Sequence, residues 1–209
     1  MEGVTVVDHV LLRRLLSILR DRSTSHRVFR QTLADAAMIL AYEAMRGLRP
    51  ESVDVQTPLE TAPGVRLADE IVLVAILRAG LGMVDGFLRL VPEARVGHLG
   101  MYRDEEALRP VGYYENVPPG VAAAEVFVVD PMLATGGSAT QAIARLKRAG
   151  ARRLAFVCLV AAPEGVRALH EAHPDVPILT ASLDRELDER GYIRPGLGDA
   201  GDRIFGTDR

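Results

Sequence analysis

Apolar positions fall at helical spacing near the start of the chain, at Val10, Leu11, Leu15, Ile18 and Leu19 within residues 8–20, and a longer helical pattern runs over residues 26–45 until Gly47 stops it. The first fifth of the chain is expected to be helical. Residues 52–57 alternate, with Val53 and Val55 on one side, as a strand does, and residues 58–64 read as a turn region. From there the pattern changes to short apolar runs at 71–77, 96–101, 125–129, 153–160 and 176–181, and the first, third and fourth lack alternation, as strands buried on both faces do. Helical patterns at 82–90, 138–149 and 163–170 separate the runs. Strand and helix alternate, which predicts an α/β fold with a mostly parallel sheet flanked by helices.

Two stretches break the alternation: residues 102–120, with Tyr113, Tyr114 and the pair Pro118 and Pro119, and the glycine-rich tail 191–206. Ligands of open α/β sheets bind beyond the carboxyl ends of the strands, so irregular insertions there are candidate binding loops. Neither repeats nor a linker is evident, and 209 residues suit one domain. Hydrophobic residues at 48% and charged residues at 25% place the chain among folded soluble proteins. Its longest apolar runs fall short of the roughly 18 residues of a membrane span, and Glu2 and Asp8 do not suit a signal peptide; a cytoplasmic location is expected. Cys158 is the only cysteine and lies in an apolar run, which excludes disulfides and cysteine metal clusters within the chain and reads as a buried, inert thiol. The net charge of −3 offers no footprint for nonspecific nucleic-acid binding. A polyanionic ligand would therefore be held locally; Lys147 is the only lysine, and the resulting arginine bias suits bidentate phosphate contacts but is better explained by a GC-rich genome.

The richest local signal is the segment 126–140, Val-Phe-Val-Val-Asp-Pro-Met-Leu-Ala-Thr-Gly-Gly-Ser-Ala-Thr. A buried strand ends in Asp130, and a small-residue loop of Ala134, Thr135, Gly136, Gly137 and Ser138 opens a helix. Such a loop lets backbone N–H groups crowd around a phosphate at the positive end of the helix dipole. No lysine follows the glycines, so this is not the nucleoside-triphosphate loop. An acid ahead of the cradle could hold sugar hydroxyls while the loop holds the sugar's phosphate. A plain strand-to-helix turn would not need Asp, Thr and Ser together.

Asp130 to Ser138 resembles the phosphoribosyl pyrophosphate (PRPP) loop of type I phosphoribosyltransferases, in which two adjacent acids usually end the strand. Here Pro131 stands in the second place, the form of the uracil phosphoribosyltransferases. The segment Ile-Leu-Arg-Ala-Gly-Leu-Gly-Met-Val-Asp-Gly at 76–86 and the tail Gly-Tyr-Ile-Arg-Pro-Gly-Leu-Gly-Asp-Ala-Gly-Asp-Arg-Ile-Phe-Gly at 191–206 are similar to the same family. The resemblance covers nearly the whole chain and implies a type I phosphoribosyltransferase-like sheet with N-terminal helices, a core of about 65–182, a β-arm insertion at about 102–120 and a C-terminal base-binding hood at about 184–209.

By that resemblance PRPP is held by Pro131, Met132, Leu133, Ala134, Thr135, Gly136, Gly137 and Ser138 together with Asp130, and Arg78 and Arg103 face its pyrophosphate. Gly80 and Gly82 after a buried strand also look like a dinucleotide fingerprint with Asp104 as the ribose acid, but the third glycine, Gly86, comes one residue late and Arg78 stands between strand and glycines. On the residues alone, Arg103 reads more readily as an exposed surface arginine.

The tail has its own chemical logic. Uracil offers an O2 acceptor, an N3–H donor and an O4 acceptor, which backbone groups of a glycine-rich loop can match without a dedicated side chain. Cytosine reverses two of the three, leaving groups unpaired at roughly 1 to 3 kcal/mol each. The resemblance assigns these contacts to Ile193, Gly198, Asp199 and Ala200, with Asp199 also reaching PRPP. A glycine-rich arm packed for assembly is the alternative reading. His170 and His173 lack an evident third metal ligand and read as a solvated helix end, and residues 184–190 read as a solvated charged face.

The expected reaction is uracil and PRPP to UMP and diphosphate, a salvage step. PRPP carries about five negative charges, too many for two arginines and one helix terminus, so Mg2+ held mainly through PRPP and water is implied. The resemblance further implies a homo-oligomer, dimer or tetramer, and in some members activation by GTP, for which no residues can be named. Alternatives are a phosphoribosyltransferase-fold RNA-binding regulator of pyrimidine genes, against which the acidic balance speaks, and a purine or orotate phosphoribosyltransferase, which would need a different base-recognition segment.

Overall fold

The computed structural model describes residues 3–103 and 110–207, with backbone alone at 102–103 and 110–111. Its elements are β1 (Val4–Val6), α1 (Val10–Arg20), α2 (His26–Ala44), β2 (Pro50–Gln56), β3 (Thr61–Leu67), β4 (Ile71–Leu77), α3 (Leu81–Leu88), β5 (Arg95–Arg103), β6 (Pro110–Asn116), β7 (Glu125–Val129), β8 (Met132–Leu133), α4 (Gly137–Arg148), β9 (Arg153–Ala161), α5 (Pro163–Ala172), β10 (Ile178–Leu183), β11 (Glu186–Leu187), β12 (Ile193–Arg194) and α6 (Ala200–Phe205).

The main sheet runs β1-β10-β9-β7-β4-β5-β6, with β8 also pairing β9, and every pairing is parallel except β5 with β6. Successive side chains of the central strands face opposite sides. Ile71, Leu73 and Ala75 of β4 join Phe127 and Val129 of β7 in a core covered by α1, α2, α3 and α6. Val72, Val74 and Ile76 join Val126 and Val128 in a second core under α4 and α5. Both faces are dry, which is why these strands read as continuous apolar runs. Cys158 is fully buried in the second core, and burial pushes its thiol up to about 12.

The chain leaves β4 through α3 toward β5 on one side, and leaves β7 through α4 toward β9 on the other. Adjacent strands thus send their connections in opposite directions, and a crevice opens beyond their carboxyl ends at this switch point. The parallel register pairs Ala75 with Val129, so the segments beginning at Arg78 and Asp130 emerge side by side.

Several expectations are corrected. The chain begins with a strand, since β1 adds to the sheet edge beside β10. In α1 the buried residues are Leu12, Leu16 and Leu19, whereas Val10 and Leu11 are 66% and 55% exposed. Residues 61–64 are not turn but the first half of β3, which pairs antiparallel with β2 in a hairpin separate from the main sheet; residues 65–67 belong to it as well. Within 102–120, residues 110–116 form β6, and the tail contains β12, paired with β11, and α6.

Candidate active site

Asp130 stands immediately beyond β7, half-buried at the floor of the crevice, and its Oδ1 accepts a 3.5 Å hydrogen bond from the Met132 N–H. Burial pushes its carboxyl up to about 7; the Met132 N–H pulls the other way, and the Asp199 carboxylate adds to the rise. The next residues do structural work. Pro131 O accepts from the Leu159 and Val160 N–H groups, each at 3.0 Å, and Leu133 buries its side chain under α4 while pairing with Ala161. Met132 and Ala134 face the crevice.

The loop then turns into α4 at Gly136, whose φ of +82° favours glycine and whose Cβ, if present, would lie 2.8 Å from the Gly165 carbonyl. No side chain caps α4. The N–H groups of its first turn, from Gly137 and Ser138 onward, lack helical acceptors and constitute an anion cradle at the positive end of a 12-residue helix.

On the neighbouring strand end, the loop after β4 is closed by a 2.9 Å bond from the Gly80 N–H to Ile76 O, and a Gly80 Cβ would sit 2.6 Å from Val129 O. Any larger residue would push the two strand-end loops apart. The loop opens with a cis peptide between Leu77 and Arg78. Arg78 reaches across the crevice to the tail, where Nη2 lies 3.2 Å from Asp202 Oδ1.

The tail closes the third side. Asp199 is the N-cap of α6: its side chain accepts a 2.9 Å bond from the Asp202 N–H, and its φ and ψ of −80° and 112° are extended. Ala200 and Gly201 follow in the first helical turn, where the helix supplies no acceptor for their N–H groups. Arg78, Ala79, Asp130, Met132, Ala134, Asp199 and Gly201 together line a cleft of about 250 Å³. A cleft of about 420 Å³, bounded by Arg20, Arg22, residues 195–199, Asp202 and Arg203, shares Asp199 with it. Larger clefts of about 630 and 740 Å³ lie beside the β2–β3 hairpin, the first reaching the amino-terminal ends of β4 and β5, and neither contains a residue of the sequence motifs.

The cleft therefore brings together Arg78, Asp130, Ala134 and Asp199, with the cradle following Ala134 along the chain; Gly198 lines the neighbouring cleft, and Ala200 is fully buried and lines neither. Ile193 packs its side chain into the core, so any contact from it to a ligand would come from its backbone. The Arg103 side chain and Asp104 lie outside the described residues. Two carboxylates, Asp130 and Asp199, border one cleft, and among the described residues no three His, Cys, Asp or Glu side chains gather as a metal cage. Two hard oxygen donors without a cage fit a magnesium ion that takes most of its ligands from substrate and water.

Residues that the sequence reading passed over hold the hood in place. Arg203 of α6 donates to the carbonyls of Leu19, Leu197 and Asp21 and stacks 4.4 Å from the centroid of Phe29. Arg30 donates to Ile204 O at 2.9 Å. Asp188 accepts from the Arg190 and Tyr192 N–H groups and pairs with Arg194, closing the β11–β12 turn. Asp184, expected on a solvated face, is buried against Arg20. His170 and His173 are half-buried rather than solvated, with His173 Nε2 3.0 Å from Thr140 O.

The family model described as Uracil phosphoribosyltransferase matches residues 6–207. A uracil phosphoribosyltransferase of Salinibacter ruber is 64% identical over 207 residues, covering 99% of each chain. Among solved structures, the AQ2163 protein from Aquifex aeolicus superposes with a TM-score of 0.94 at 36% identity, covering 98% of this chain and 99% of that one. An adenine phosphoribosyltransferase from Trypanosoma brucei, at 12% identity and a TM-score of 0.56 over 95% of this chain and 89% of that one, shares the fold. With its strand-end acid, uncapped cradle and glycine-rich hood around one crevice, the chain belongs to the uracil phosphoribosyltransferase family.

Proposed function

We infer that the protein transfers the phosphoribosyl group of PRPP to N1 of uracil, giving UMP and diphosphate. The observation that carries this is the meeting of three elements at the switch point: the Asp130 strand end with its phosphate cradle, the Arg78 loop, and the Asp199 end of the hood. The 5′-phosphate sits in the cradle at the start of α4. Asp130 holds the ribose hydroxyls. Arg78 and Arg103 bind the pyrophosphate, and the backbone around Gly198 and Ala200 presents donors to the uracil oxygens.

The C1′–O bond to pyrophosphate breaks as the C1′–N1 bond forms, the leaving group takes the electron pair, and the N1 proton passes to the departing diphosphate or to water. The anomeric carbon becomes cation-like along the way, so the protein contributes positioning and stabilisation of the departing charge rather than a covalent intermediate. Magnesium, held through PRPP oxygens, water and the Asp130 side of the cleft, would neutralise the pyrophosphate.

The same reading extends to a cytoplasmic salvage enzyme; among the described residues no helix is long and apolar enough to cross a membrane. It extends also to assembly into dimers or tetramers, supported by the β2–β3 hairpin, which stands off the main sheet with Val65 73% exposed and Leu59 at its tip 95% exposed. Activation by GTP belongs to the reading as an expectation of the family alone, without assigned residues. Incubation with PRPP, magnesium and each nucleobase in turn tests the function: uracil is expected to yield UMP and diphosphate in equal amounts, and product from purines or orotate but not uracil would overturn it.

A further inference from the structure

Beside the Arg203 bonds to Leu19 and Asp21, a buried ion pair ties the glycine-rich hood to the N-terminal helix. Asp184, just beyond β10, has a side chain only 2% exposed. Its Oδ1 accepts from Arg20 Nη2 at 2.5 Å and Ser182 Oγ at 2.7 Å, and its Oδ2 accepts from Arg20 Nη1 at 2.7 Å and the Gly196 N–H at 2.9 Å. Arg20, the last residue of α1, also donates from Nη1 to Gly196 O at 2.8 Å and from Nη2 to Ser182 Oγ at 3.1 Å. Gly196 is thus held at both its N–H and its C=O by the two halves of one ion pair.

Burial alone would raise the Asp184 carboxyl, but the bonds from Arg20, Ser182 and Gly196 hold it below the usual carboxylate range, so the pair stays ionised at neutral pH. A buried ion pair adds little stability over apolar packing of the same volume; what it supplies here is geometry. Arg203 takes the next carbonyl, Leu197 O, at 2.8 Å, so successive peptides are gripped from two sides immediately before Gly198. Arg20 and residues 195–199 border the same cleft.

We propose that Arg20 and Asp184 are positioning residues for base selection, fixing the Gly196 peptide and through it the direction of the Gly198 and Ala200 N–H groups. The proposal rests on the reading of residues 193–200 as the uracil site. Neither side chain touches substrate in this scheme. Their effect passes through the main chain, which cannot adjust its donors to the base once Gly196 slips.

Steady-state kinetics and mixed uracil–cytosine turnover on wild type, Asp184→Asn, Arg20→Lys and Ser182→Ala test it. Asp184→Asn and Arg20→Lys are each expected to raise the uracil KM about tenfold and to reduce discrimination against cytosine by about tenfold, with the PRPP KM and pyrophosphate inhibition changed less than about twofold. Ser182→Ala leaves both Gly196 bonds in place and is expected to stay within about twofold of wild type throughout. Should Asp184→Asn fail to fold, Arg20→Lys decides by the same readouts. A lowered melting temperature with wild-type uracil KM and discrimination would show that the ion pair is merely structural and would overturn the proposal. Wild-type protein that does not use uracil, or does not discriminate, would instead overturn the functional reading beneath it.

Discussion

The Arg78 guanidinium, rooted in the loop after β4, pairs with Asp202 of α6, Nη2 to Oδ1 at 3.2 Å, and lies 5.8 Å from the centroid of the Phe205 ring. The Arg78 side chain is therefore held by the C-terminal tail. Both side chains are partly exposed, and such a pair is worth at most about 1 kcal/mol, so a pyrophosphate group can replace Asp202 as partner at little expense.

Arg78→Ala is accordingly expected to raise the apparent KM for PRPP by about tenfold or more and to weaken pyrophosphate inhibition, with uracil binding less affected. Asp202→Asn removes only the competing charge and should leave the PRPP KM unchanged or lower it. Initial-rate measurements over PRPP concentration check both, and equal effects of the two variants would contradict the arrangement. Arg103→Ala should have a smaller effect than Arg78→Ala, because the Arg78 loop is closed by the Gly80 bond to Ile76 at a core strand end.

Asp130 offers a prediction with opposite signs for activity and stability. Its carboxyl moves from 3.8 to about 7 on folding, so between those values the native protein holds a proton that the unfolded chain has released, and stability falls as pH climbs through that window. Above it the burden is at most about 4 kcal/mol, reduced by water in the cleft. Asp130→Asn should therefore melt higher than wild type at pH 8 in the absence of substrate, with the gain shrinking toward pH 5. It should also lose about a hundredfold or more of turnover with PRPP, because the amide cannot accept from both ribose hydroxyls or support magnesium. Thermal melts at the two pH values and rates on the same preparation decide it; retained turnover would remove Asp130 from the site.

Ala200 allows a backbone donor to be deleted at a helix start, with the proline ring to be accommodated in the core where the Ala200 side chain is buried. It is the first residue of α6, where proline is tolerated, and Asp199 before it already has the extended ψ of 112° that a following proline requires. Ala200→Pro removes the N–H and should abolish uracil use while PRPP binding, followed by calorimetry, persists. Ala200→Ser keeps the donor and should be milder. An active proline variant would place base recognition elsewhere.

The parts of this site that were legible in the sequence are those whose signal is local. β4 and β7 stand out because both their faces are buried, and the acid, glycines and hydroxyls of 130–138 carry their chemistry within nine residues. β3 was hidden because Pro63 and Gly64 look like turn residues, although in a hairpin outside the main sheet both are accommodated. β1 has only three residues and owes its existence to the edge of β10. The Arg20–Asp184 pair left no trace at all: its members lie 164 positions apart, and a charge run at 184–190 reads as solvated until the fold folds its first residue inward.

The claim that backbone groups of the hood choose the base is tested most directly by turnover of an equimolar mixture of uracil and cytosine with PRPP and magnesium, counting UMP and CMP from one reaction. Two mismatched hydrogen bonds predict UMP in excess by at least roughly a hundredfold. Comparable amounts of the two nucleotides, or neither, would contradict the account.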